Sequence, residues 1–210
     1  MRINKGMIRT GAYILLGVIL FLIILKYDLA ISLIINSWRS PGLDIFMLLI
    51  EKMSIGIIIV VPLALLLFNK EFRNIKNWTV SFLGAYALTL LVKVLIARER
   101  PFNFGLNVPT DLIDPKYSTW DSSFPSNHAS TALASFFFIP SGILRLSWIG
   151  ICALIMFSRV YFGLHYLSDV IAGAAIGLGV SYLISKHANK LLEIKALNKF
   201  KYRRARKKNK

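Results

Sequence analysis

Long apolar runs recur along this chain, and they constrain its fold more than any other feature. Residues 10–25 and 53–69 carry no charged side chain at all. A helix needs about 20 mostly apolar residues to cross the hydrocarbon of a bilayer. A chain that is 56% hydrophobic, with mean hydropathy +0.60, is too apolar for an ordinary water-soluble domain. Backbone groups in lipid must bond within their own segment, so the expected fold class is all-α, an integral membrane bundle. We read six transmembrane helices at roughly 10–26, 44–68, 78–97, 128–140, 146–163 and 168–186. The fourth is short. Arg2, Lys5 and Arg9 ahead of the first run resemble a secretory leader, but no small-residue cleavage site follows, so the run is read as a retained helix.

The formal charge of +16 is placed unevenly. Nine of the residues from Lys195 to Lys210 are Lys or Arg and none is acidic. We read 1–194 as the membrane domain and 195–210 as a basic cytoplasmic tail, a topology anchor rather than a nucleic-acid-binding segment. With both termini inside, the inner segments hold Arg2, Lys5, Arg9, Lys70, Arg73, Lys76, Arg145 and the tail. The outer segments hold Lys26, Arg39, Arg98, Arg100 and Lys116, diluted by Asp28, Asp44, Glu99, Asp111, Asp114 and Asp121. That is the positive-inside pattern. Trp38, Trp78, Trp120 and Trp148 fall near span ends and are expected as interfacial anchors. Cys152, the single cysteine, excludes an intrachain disulfide. Ala172, Gly173, Ala174, Ala175, Gly177 and Gly179 give the last helix a small-residue face suited to close packing, within a monomer or along a homodimer seam.

Three polar motifs interrupt this background, and the expected topology brings all three to the outer face. Ionisable groups this close to lipid are costly and need a reason. Lys93 and Arg100 lie seven residues apart, two turns on a continuous helix that Pro101 would stop. Arg offers a planar fork for phosphate and Lys a point charge. Pro125-Ser126-Asn127-His128 precedes an apolar run and reads as a helix start with Ser126 as N-cap. Its free N–H groups favour an anion, and His128 there suits proton donation. His165 and Asp169 are four residues apart, so a carboxylate can orient the imidazole and leave its other nitrogen free to attack phosphorus. Arg159 adds another fork, and His187 has no such partner. No His, Cys or carboxylate cluster has metal-ligand spacing, so neither metal nor cofactor is expected.

Together these motifs resemble the type 2 phosphatidic acid phosphatase (PAP2) superfamily. Its pattern of Lys-x6-Arg-Pro, Pro-Ser-Gly-His and Ser-Arg-x5-His-x3-Asp matches Lys93 with Arg100-Pro101, Pro125 to His128, and Ser158-Arg159 with His165 and Asp169. The resemblance implies a metal-independent lipid phosphatase working from the outer leaflet. It implies that His165 forms a phosphohistidine, that Asp169 orients it, and that His128 protonates the leaving group and then activates water. Lys93, Arg100, Ser126, Arg159 and the Asn127 N–H would hold the phosphate. Asn127 departs from the family glycine, which predicts a changed rate or substrate preference. Glu51 and Lys52, two turns inside the second span, either neighbour the substrate or pair locally. The family offers undecaprenyl pyrophosphate, phosphatidylglycerol phosphate and phosphatidic acid as substrates, and we rank the first highest. A non-catalytic lipid transporter or scaffold, or a vanadate-dependent haloperoxidase-like enzyme, is the alternative reading.

Overall fold

The computed structural model describes the backbone of residues 5–113 and 121–208, with side chains from Arg9 through Lys190. The expectations for Asp114, Lys116, Trp120 and the tail's charged side chains therefore lie outside the described residues. Among the described residues, six α-helices form in order: α1 Lys5–Ser37, α2 Pro41–Phe68, α3 Phe72–Ile96, α4 Asn127–Leu133, α5 Ile143–Tyr161 and α6 Leu167–Lys208. The described residues contain no strands. Five segments among them are long and apolar enough to cross a membrane: Arg9–Ser37, Pro41–Phe68, Phe72–Phe104, Ile143–Tyr161 and Leu167–Lys190.

The fourth predicted span is the exception: it is not among the segments long and apolar enough to cross. Only Asn127–Leu133 is α-helical, and the chain then proceeds in turns to Ile139. Seven residues rise about 10 Å, a third of the hydrocarbon thickness. This short helix is enclosed instead of lipid-facing: Ala129, Ser130, Thr131, Ala132 and Leu133 are all buried, and α4 packs against α2, α3, α5 and α6. Ile58, Ala132, Leu133, Trp148, Cys152 and Ile155 form the core around it.

Lipid removes most of the hydrophobic drive between helices, so small and hydroxyl residues must hold the bundle. Gly173 and Gly177 lie flat against α4. A Cβ at Gly173 would sit 2.4 Å from the Ser126 carbonyl oxygen, and one at Gly177 2.2 Å from that of Ser130. Gly173 and Gly177 thus form an internal seam with α4, whereas Ala175 and Gly179 are exposed. Hydroxyls add polar links. Ser81 Oγ donates to the Ala134 carbonyl at 2.8 Å, Thr89 Oγ1 to Ser130 Oγ at 2.9 Å, and Phe137 N–H to Ser181 Oγ at 3.2 Å.

Two further expectations are corrected. Helix α1 continues to Ser37, well past the predicted end near residue 26, so Lys26 and Asp28 lie within a helix and not in an outer loop. Trp78 and Trp148 are buried, the latter with Nε1 donating to the Ala132 carbonyl, and they do not anchor an interface. Trp38 is exposed.

Candidate active site

Four local structures converge on one cavity of about 210 Å³. The first is the end of α3. Ala97 takes a left-handed conformation (φ 46°, ψ 42°) and closes the helix, its N–H bonding to the Lys93 carbonyl. The helix therefore stops four residues before Pro101, and the two-turn argument for Lys93 and Arg100 does not apply. Both reach the cavity regardless, because the residue before a proline is driven extended. Arg100 has φ −84° and ψ 150°, which turns its side chain inward from the strand-like segment. Lys93 Nζ pairs with Asp121 at 2.8 Å and donates to the Ser122 carbonyl. Arg100 donates to the Leu164 carbonyl at 2.7 Å and the Asp121 carbonyl at 3.1 Å.

The second is the start of α4. Ser126 occupies the N-cap position, as the sequence implies, but its hydroxyl makes no capping bond. Its N–H donates instead to the Asp169 carbonyl at 3.0 Å, tying α4 to α6. Asn127 and His128 line the cavity, and the Asn127 side-chain oxygen is buried without a hydrogen-bond partner.

The third is the end of α5. Arg159 is buried and forms a close ion pair with Glu51 of α2, while Ser158 Oγ donates to the other Glu51 oxygen at 2.9 Å. Arg159 Nε has no partner of its own. Lys52, next to Glu51, points elsewhere and pairs with Asp111 at 2.8 Å on the surface. The fourth is the Phe162–Tyr166 turn. Gly163 holds φ 65°, and a Cβ there would meet Leu106 at 2.7 Å, so a side chain is excluded twice over. Phe102 N–H donates to the Gly163 carbonyl, locking the post-α3 loop beside His165.

His165 precedes α6, so its nearness to Asp169 does not come from a shared helical face. The Asp169 carboxylate reaches back to the Tyr166 N–H at 2.9 Å, as the third helical residue does in a capping box. His165 Nδ1 lies 3.5 Å from the same oxygen, beyond a formed hydrogen bond. His165 Nε2 lies 3.4 Å from Arg100 Nη1. Burial, and then the neighbouring Arg100, Lys93, Arg159 and His128, hold this imidazole well below the usual histidine pKa. It is accordingly neutral, with Nε2 turned toward the cationic wall. His187 is exposed on α6.

Sequence reasoning missed several members of this constellation. Arg98, counted from sequence among the outer-segment charges, is mostly buried. It pairs with Asp169 at 2.7 Å and Asp28 at 2.9 Å, and lies 3.9 Å over the Tyr166 ring. Asp28 is buried and accepts from the Ser168 N–H at 3.0 Å and from the Ser168 hydroxyl. Ser123 donates to Asp169, and Asp121 braces both Lys93 and Arg100. One signal was available for Asp28: the apolar run continues from Leu29 to Ile35 behind it, which marks the charge as intramembrane.

Residues 76–192 match the PAP2 superfamily, and the chain belongs to it as a membrane phosphatase. It is 33% identical over 161 residues to an undecaprenyl-diphosphatase of Sulfolobus acidocaldarius, covering 75% of this chain and 76% of that one. A lipid A 4'-phosphatase of Porphyromonas gingivalis is 28% identical, covering 78% of this chain and 73% of its own. The fold resembles that of a PAP2-type phosphatidylglycerolphosphate phosphatase from Bacillus subtilis. The TM-score is 0.63 at 23% identity, over 82% of this chain and 94% of that one.

Proposed function

We propose that this chain removes a phosphate group from a lipid phosphate or diphosphate through a phosphohistidine on His165, with an undecaprenyl-type pyrophosphate as the first-ranked substrate. The carrying observation is the two-part cavity. Lys93, Arg100, Arg159, His128 and His165 line it, and so do Ile55, Ile58 and Ile59 of α2 and Phe82, Tyr86 and Leu90 of α3. These apolar residues lie at successive turns along their helices from Glu51 and Lys93. A phosphate head fits the cationic end and a hydrocarbon tail the apolar one. The S. acidocaldarius relative supports the polyprenyl choice.

In the first step His165 Nε2 attacks phosphorus while the bond to the leaving oxygen breaks. His128 supplies the proton that this oxygen needs, and Asp169 stabilises the positive imidazole through Nδ1–H. Lys93, Arg100 and Arg159, with Ser126 and the Asn127 N–H, hold the phosphoryl oxygens, where charge spreads in the transition state. In the second step His128 takes a proton from water, whose oxygen attacks phosphorus. The P–N bond breaks and inorganic phosphate leaves.

The charge bias supports both termini cytoplasmic and the site extracytoplasmic, with the basic residues of 195–210 on the inner side. Purified protein in detergent, offered undecaprenyl pyrophosphate, undecaprenyl phosphate, phosphatidylglycerol phosphate and phosphatidic acid, should release phosphate fastest from the pyrophosphate. His165→Ala should release none. Equal rates for wild type and His165→Ala would defeat the catalytic assignment, and a faster glycerolipid would defeat the substrate ranking.

A further inference from the structure

Resting on that reading of His165 and Asp169, we propose that Asp28 and Arg98 are positioning residues that set the charge Asp169 presents to the nucleophile. Asp169 is shared unevenly. Its Oδ1 accepts from Arg98 Nη1 at 2.7 Å, while its Oδ2 accepts from Tyr166 N–H and Ser123 Oγ and faces His165 Nδ1. Arg98 therefore fixes the carboxylate rotamer, with one oxygen clamped and the other aimed at the imidazole.

The clamp has an electrostatic drawback. A guanidinium 2.7 Å from the carboxylate neutralises much of the charge that would stabilise the histidine as Nε2 bonds to phosphorus. Asp28 answers it from the far side of the same guanidinium, at 2.9 Å. The string Asp28–Arg98–Asp169 thus carries one net negative charge in place of zero. The Ser168 hydroxyl ties its parts: it accepts from Arg98 Nη1 at 2.8 Å and donates to Asp28. Tyr166 stacks beneath Arg98 and completes the cage. Asp28 comes from α1, whose other described side chains are largely exposed. A buried carboxylate on an otherwise lipid-facing helix needs such a partner.

An electrostatic role for Asp28 and Arg98 differs from a purely structural one in a measurable outcome. Asp28→Asn leaves Arg98 uncompensated against Asp169, and kcat should fall by about 10- to 100-fold, as for loss of other supporting partners, while KM stays within about threefold. Adding Arg98→Gln removes the opposing cation and returns the string to one negative charge. The double variant, although it lacks the rotamer clamp, should recover at least about threefold in kcat over Asp28→Asn, a coupling that buried neighbours commonly show. If Asp28 and Arg98 only brace the fold, the double variant is as slow as or slower than the single one, and the proposal is overturned. A rise in KM at unchanged kcat would also overturn it. Should Asp28→Asn fail to fold, the double variant decides alone: kcat within about tenfold of wild type supports the idea and lower activity refutes it. Wild type and His165→Ala run alongside. Activity that does not depend on His165 marks failure of the functional reading, whereas a His165-dependent enzyme without double-variant recovery marks failure of this inference.

Discussion

Gly173→Ala tests how closely the chemistry depends on the α4–α6 seam. A methyl at Gly173 would lie 2.4 Å from the Ser126 carbonyl oxygen and 3.1 Å from the Ala129 Cβ, where ordinary contact begins at 3.4 Å. The obstacle is backbone, so α4 must retreat from α6 by about 1 Å, because rotamer changes cannot relieve a clash with a carbonyl. That movement pulls on the 3.0 Å bond from Ser126 N–H to the Asp169 carbonyl. It also carries Asn127 and His128 away from His165. Misplacement of reacting groups by about 1 Å costs on the order of 100-fold in rate, and overpacking about 1–3 kcal/mol in stability. Phosphate release should therefore fall by about two orders of magnitude, with a lower melting temperature in detergent. Gly179→Ala is the control, since nothing lies within 4 Å of its added methyl. It should be neutral, or more stable by up to about 1 kcal/mol from helix propensity. Wild-type kcat in Gly173→Ala, or equal losses in both variants, would refute the reasoning.

Three other perturbations follow. Glu51→Gln leaves the buried Arg159 without its counter-ion, at a cost of about 3 kcal/mol, but also frees that guanidinium for phosphate. Melting curves should shift down while inorganic phosphate inhibits more tightly, and weaker inhibition would count against Arg159 as a phosphate ligand. His165, held low first by burial and then by Arg100, Lys93 and Arg159, should remain neutral as pH falls through about 6.5. The unfolded chain takes up that proton near 6.5 and the folded chain does not, so stability declines as pH drops below about 6.5. Histidine NMR, assigned by loss of a signal in His165→Gln, should show no titration of this ring near 6.5. Asn127→Gly removes a buried, unpartnered amide oxygen from the cavity wall. It should change the ratio of rates across the lipid panel, and an unchanged ratio for every substrate would dismiss Asn127 as a selectivity element.

The comparison of sequence with structure divides by physical range. Apolar runs and motif spacing located the bundle, the family and the cavity-lining Lys93, Arg100, Asn127, His128, Arg159 and His165. What spacing could not convey was how the motifs meet. Lys93 and Arg100 share a site through a left-handed Ala97 and an extended pre-proline residue, not through a continuous helix. Ser126 contributes its N–H and not a capping hydroxyl. Arg98 and Asp28 look like interfacial charges because their partners lie about 70 and 140 residues away in sequence. The fourth predicted span is α-helical only over Asn127–Leu133, and burial against protein produces the same apolar signal as burial in lipid.

That enclosed fourth helix bears on how the enzyme is assembled. Asn127–Leu133 is too short to partition into a bilayer alone, and Ala129, Ser130, Thr131 and Ala132 within it are small or hydroxyl-bearing. It must be carried in by its neighbours and sealed once α2, α3, α5 and α6 have closed around it. His128 rides on this helix. Under the proposed mechanism, hydrolysis therefore requires that the neighbouring helices have already docked around it.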